Sequence, residues 1–110
     1  MGFFEKDYLI RLLEQLTEMV AAIRAAIRGG GSREALATIA EAQQRLAGPL
    51  AASLCRLDAG SAVALLGVEK AKMHATLLRL EGDAYAALGE DSKARAAEER
   101  AARIERSAAT

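Results

Sequence analysis

Cysteine, histidine and proline each occur once in this chain of 110 residues, tryptophan is absent, and aromatic residues make up 4%. A lone Cys55 rules out an intrachain disulfide and fits a reducing compartment. One cysteine and one histidine, His74, cannot supply a zinc site at ordinary ligand spacing. No Glu-x-x-His pair is present, so a carboxylate-bridged di-iron bundle lacks its ligand set. Neither sign of charge is in excess, since 15 basic and 15 acidic residues cancel. A nucleic-acid binder is expected to carry a basic domain or stripe, because phosphate neutralisation dominates its affinity. None is visible here. No apolar run approaches the roughly 20 residues of a membrane span. The opening Met1 to Lys6 has no basic stretch ahead of an apolar one, as a signal peptide would. Met1-Gly2 matches a myristoylation start, but Lys6 stands where Ser or Thr is required. Phe3 and Phe4, without a basic face, give only marginal membrane affinity. The expectation is a cytoplasmic protein with no metal, cofactor, nucleic-acid partner or membrane span.

Alanine and leucine fill the space these absences leave. There are 26 alanines and 15 leucines. With glutamate and arginine they are strong helix formers. β-branched residues are sparse and no apolar/polar alternation occurs, so strands are not expected. A chain of this mass folds to roughly 5,800 Å² of accessible surface from roughly 17,000 Å² unfolded, which is enough for one core. Alanine contributes little burial per residue. Such a thin core is completed by close packing of alanine faces or by a second chain.

The pattern predicts an all-α domain over 1–110, built of about five to six helices in hairpins packed as a small bundle. A long first helix is expected over 4–28. Leu9, Leu12, Leu16, Met19, Ile23 and Ala26 recur at three and four, which is a heptad seam. Leu13, Val20 and Ile27 widen it. Gly29 to Gly31 end the helix. Ser32 is the expected N-cap of a second helix over 32–47, whose inner face is Leu36, Ile39, Ala42 and Leu46. Gly48 and Pro49 read as a stop and a restart. Short helices are expected over 49–57 and 59–66, the latter capped by Asp58 or Ser61. The chain then forms a hairpin over 69–107. Met73, Leu77, Leu80, Ala84 and Leu88 line its first helix. Gly89 makes the turn, and the weaker stripe Ala94, Ala97, Ala101 and Ile104 lines its second.

The segment from Leu78 to Ala94 resembles a tetratricopeptide repeat. Gly82 stands where a small residue lets two helices approach, Tyr85 follows three residues later, and Leu88-Gly89 makes the turn. Ala94 and Ala101 match the small residues of the second helix. Glu81, Glu98 and Arg106 depart from the pattern. Residues 32–42 resemble a second repeat helix. The opening, Glu5 to Leu16, is similar to that of a family of small bacterial all-helical proteins of unknown function, which also end in a repeat-like hairpin. That resemblance implies fold and bacterial origin and carries no activity. Solenoids need three or more repeats, so a bundle or a dimer is the expected form.

Candidate chemistry is thin. His74 falls at the border of an apolar face, where a surface or boundary position is expected. Cys55, between Leu54 and Leu57, reads as a buried structural thiol. No nucleophile, base and orienting acid form a recognisable set. Residues 29–32 lack the Lys-Ser/Thr ending of a phosphate loop. The leading expectation is therefore a non-enzymatic interaction module. Its first helix would form a homo-oligomer, a dimer being favoured, through Tyr8, Leu9, Arg11, Leu12, Leu16, Met19, Ile23 and Ile27. Leu78, Gly82, Tyr85, Leu88, Gly89, Ala94 and Ala101 would pack the hairpin, and the hairpin from Leu78 to Ile104 would be presented to a protein partner. The second expectation is a monomeric bundle that holds a small apolar ligand or peptide between the first helix and the hairpin.

Overall fold

The computed structural model describes the backbone of residues 2–110 and the side chains from Glu5 onward. The side chains of Phe3 and Phe4 lie outside the described residues. Five α-helices occur in order: α1 (Gly2–Arg28), α2 (Ser32–Ala47), α3 (Ala59–Leu66), α4 (Val68–Ala87) and α5 (Asp91–Ala109). No strand is present among the described residues. No described helix is long and apolar enough to cross a membrane.

The expected helix over 49–57 does not form. Two 3₁₀ turns, Gly48–Leu50 and Leu54–Arg56, take its place. The stretch is short, and its apolar residues cannot make one stripe long enough to stabilise an isolated α-helix. Consequently Cys55 is exposed, not buried as its neighbours suggested. Ser32 is not the N-cap of α2. Gly31 occupies that position without a side-chain cap, and Ser32 is turned inward, 4% exposed. The reversal before it is made by Gly30 at φ +86° and by the Gly31 N–H, which donates to the Ala26 carbonyl at 2.7 Å. Asp58 caps α3, accepting from the Ser61 N–H at 2.8 Å and from its hydroxyl at 3.0 Å.

The thin core is divided in two by α4. On one side, Leu12, Leu16, Val20 and Ile23 of α1 meet Ile39 and Leu46 of α2 and Leu77 and Leu80 of α4. On the other, Ala71 and Ala75 of α4 meet Ala101 and Ile104 of α5, with Leu54 and Ala62. Helix α4 is therefore central and covered on two faces. His74, placed at a border by sequence spacing, is buried at 5% exposure.

The α4–α5 hairpin has the most extensive contact of any helix pair. Alanine faces permit the close approach, and Gly82 lies in the crossing. A Cβ at Gly82 would lie 3.1 Å from Glu98 Cγ and 3.2 Å from the Ala94 carbonyl oxygen. Glycine in a helix interior costs about 1 kcal/mol relative to alanine. For Gly82→Ala that gain is offset by the crowding, and stability should stay within about 1 kcal/mol of wild type. Gly82→Leu has no room in the crossing and should lose about 1–3 kcal/mol, the usual range for overpacking. Urea midpoints of the three proteins check this, and a leucine variant as stable as wild type would sink the close-crossing account. Outside the core, Arg79 bridges the hairpin. It donates to Glu105 through two nitrogens, at 2.8 and 2.6 Å, and lies 3.4 Å from Glu98. These groups are over 40% exposed, so the clamp fixes geometry more than it adds stability.

Candidate functional site

The predicted interface residues do not share one environment. Leu12, Leu16 and Ile23 are 7%, 0% and 1% exposed and belong to the core shared by α1, α2 and α4. Met19 and Ile27 pack partly buried against the same cluster. That length of the seam is closed within the chain. Tyr8 and Arg11 are exposed and Leu9 is half-buried.

Helix lengths explain the division. Helix α2 has 16 residues and α1 has 27. At 1.5 Å per residue they span roughly 24 Å and 40 Å. A partner returning antiparallel from residue 32 covers the C-terminal part of α1 and stops short of its start. Burial along the described part of α1 accordingly begins only at Leu12. The uncovered end meets the α3–α4 corner. Tyr8 and Leu9 face Leu66 and Val68 across an open groove of about 580 Å³, edged by Glu5, Glu69 and Lys70. Tyr8 is 64% exposed, Ile10 46%, Leu65 56% and Val68 44%. Among the described residues only Leu50 joins these four as an exposed large apolar side chain.

A second feature is polar. The end of α2, the 3₁₀ segment, α4 and α5 enclose a chamber of about 170 Å³ into which Gln43, His74, Glu81 and Arg100 converge. It adjoins a shallower space of about 370 Å³ bordered by Tyr85 and Lys93. His74 Nδ1 lies 2.8 Å from Gln43 Oε1, so the ring donates there in its neutral form. Burial, with the Arg100 charge adding to it, lowers the His74 pKa to about 4. Burial also pushes the Glu81 carboxyl above its ordinary value. Arg100 donates from one Nη to the Leu54 carbonyl at 2.8 Å, tying α5 to the 3₁₀ segment. Cys55, at the mouth, is 3.7 Å from the Ala52 carbonyl.

Sequence spacing did not single out Gln43, Glu81 or Arg100. A signal existed for Arg100, which lies three residues from Ala97 and four from Ile104. It thus falls on the buried stripe of α5 and not on the solvent face. Gln43 borders the inner face of α2 beside Ala42 in the same way. The hairpin residues behave as a packing set: Gly82, Ala94 and Ala101 are buried, while Leu78, Tyr85 and Leu88 are half-buried. Gly89 makes the turn at φ +79°. Lys93 stands 5.5 Å from the centre of the Tyr85 ring and 3.1 Å from Glu90.

Among the described residues, no three His, Cys, Asp or Glu side chains gather as metal ligands would. The chain is a small all-α bundle, and no family model, curated protein or solved structure matches it.

Proposed function

We propose that this protein is a non-enzymatic helical interaction module that pairs with a second copy through the start of α1 and the α3–α4 corner. The observation that carries this reading is the overhang of α1 beyond α2, which leaves Tyr8 and Val68 exposed on one groove with Leu9 and Leu66. Large aromatic and aliphatic side chains around a groove are the usual energetic centre of an interface. The groove edge carries both signs of charge, Glu5 and Glu69 beside Lys70. In a two-fold arrangement each sign can meet the other on the partner copy.

Smaller observations support the finer readings. An exposed thiol at Cys55 suits a reducing cytoplasm. The close crossing at Gly82, with Tyr85 beside it, supports a tetratricopeptide-like hairpin. Light scattering after size exclusion, over a tenfold concentration range, tests the pairing. A mass near twice 11.6 kDa is expected, falling to 11.6 kDa for the double variant Tyr8→Glu, Val68→Glu. Both positions are exposed, so the variant should remain folded. A wild-type mass of 11.6 kDa at every concentration would overturn self-pairing. A dimer unaffected by the two substitutions would overturn the assignment of the surface.

A further inference from the structure

Arg100, which borders the polar chamber, carries an unsatisfied group that the interaction reading does not use. Arg100 Nε is buried and has no hydrogen-bond partner, the one such side-chain nitrogen or oxygen among the described residues. Buried polar atoms are nearly always paired, and an orphan calls for an explanation such as a strained site or an absent ligand. No described acidic group lies within ion-pair distance of Arg100. The neighbouring acids are otherwise disposed. Asp58 is held by Ser61, and Glu81 borders the chamber without reaching the guanidinium. By contrast, Arg79 on the other side of the same hairpin is met by two glutamates. A guanidinium is always charged and presents five donors in a planar fork. The Leu54 carbonyl takes one of them.

We propose that this chamber binds a small monocarboxylate, its head held by Arg100 and its apolar body lying against Leu54, Leu78 and Tyr85. The head group follows from charge and shape. One guanidinium without an ion-pair partner matches one negative charge, and its fork matches a planar carboxylate in a bidentate contact. A dianionic phosphate would need a second free cation, and Lys93 is already paired with Glu90. Gln43 Oε1 is taken by His74, which leaves the Gln43 amide nitrogen as a further donor. The tail follows from the walls. Leu54, Leu78 and Ala51 line the inner chamber, and Tyr85, Ala96 and Ala97 continue the apolar surface outward. The two spaces, about 170 and 370 Å³, suit a molecule of a few carbons. Because Nε is closed off from water, the carboxylate meets the guanidinium at its Nη edge.

His74 is the only histidine, so its ring gives one unambiguous signal in a ¹H–¹³C correlation spectrum. The experiment titrates full-length protein with straight-chain monocarboxylates from butanoate to octanoate, and with the primary alcohols of equal length. A saturable shift of the His74 ring is expected for at least one carboxylate, with the matching alcohol at least about tenfold weaker, as loss of a charged bidentate contact implies. Arg100→Lys, which keeps the charge and loses the fork, should weaken binding about tenfold. Arg100→Gln should abolish it. Circular dichroism reports whether each variant is folded. If both fail to fold, the wild-type comparison of carboxylate with alcohol still decides. Equal binding of the two overturns the proposal in favour of apolar partition. Absence of saturation with any carboxylate overturns it outright. Competition by inorganic phosphate as effective as that by carboxylate overturns the monocarboxylate assignment.

Discussion

Replacing Leu16 and Ile23 together by glutamate is expected to abolish cooperative folding of the chain. Both side chains are at or below 1% exposure and pack between α1, α2 and α4. No Lys or Arg is buried among the described residues, so none is at hand to pair with a buried carboxylate. Each substitution removes a large aliphatic side chain, a loss of about 2–5 kcal/mol when the replacement is only alanine. A buried unpaired charge adds several kcal/mol more, or forces the carboxyl to stay protonated. Two such changes exceed the roughly 5–15 kcal/mol by which a domain of this size is stable. Far-UV circular dichroism should show a largely unfolded chain without a cooperative melt. Were the mid-helix seam an interface between copies, the same double variant would be a folded monomer, and finding one would falsify the core assignment. The milder Leu16→Ala should remain folded, with its urea midpoint lowered by about 2–5 kcal/mol equivalent.

The ambiguity behind that experiment is physical. A heptad seam records only that a helix face is apolar along its length. An intrachain hairpin and a dimer satisfy it equally well. What decides is the length of the neighbour. The 16 residues of α2 close the seam from Leu12 onward, and leave its start open. The four longer helices were legible because each carries apolar residues at three and four over several turns and is bounded by a glycine. The 48–58 stretch was not, because its leucines are too few and too close to glycine and proline to reveal which turn type they adopt. Burial of His74 was hidden for a different reason. Helix α4 is apolar around much of its circumference because it serves two cores. A border position on such a helix is an interior one. The polar chamber was less legible still. Its members come from three helices and a 3₁₀ turn, and only tertiary packing brings Gln43 to His74, 31 residues away.

Burial of His74 has a consequence for stability as a function of pH. Its folded pKa, about 4, lies below the ordinary 6.5. Desolvation is the larger cause and the Arg100 charge the smaller. In the unfolded chain the imidazole takes up a proton as pH falls through 6.5, whereas in the folded chain it stays neutral until about 4. Between those values the unfolded state binds more protons, so stability falls as the solution is acidified. The contribution of His74 is complete above pH 6.5 and is lost by about pH 4. Each tenfold difference in proton affinity between the two states is worth about 1.4 kcal/mol, so the whole loss is about 3 kcal/mol. Other groups titrate at the acid end of this window. Glu81, raised by burial, favours the folded state as it protonates, while Glu105 and Asp58, lowered by Arg79 and Ser61, favour unfolding. Comparison with His74→Asn separates these contributions. Asparagine has no proton to gain, and its amide nitrogen falls near the position of Nδ1, in reach of Gln43 Oε1. Urea denaturation at intervals from pH 7 to pH 4 should therefore give a steeper loss for wild type than for His74→Asn. The difference between the two curves should grow to about 3 kcal/mol at the acid end. Parallel curves would mean that the ring titrates in the folded protein as it does in water, and that α4 does not bury it.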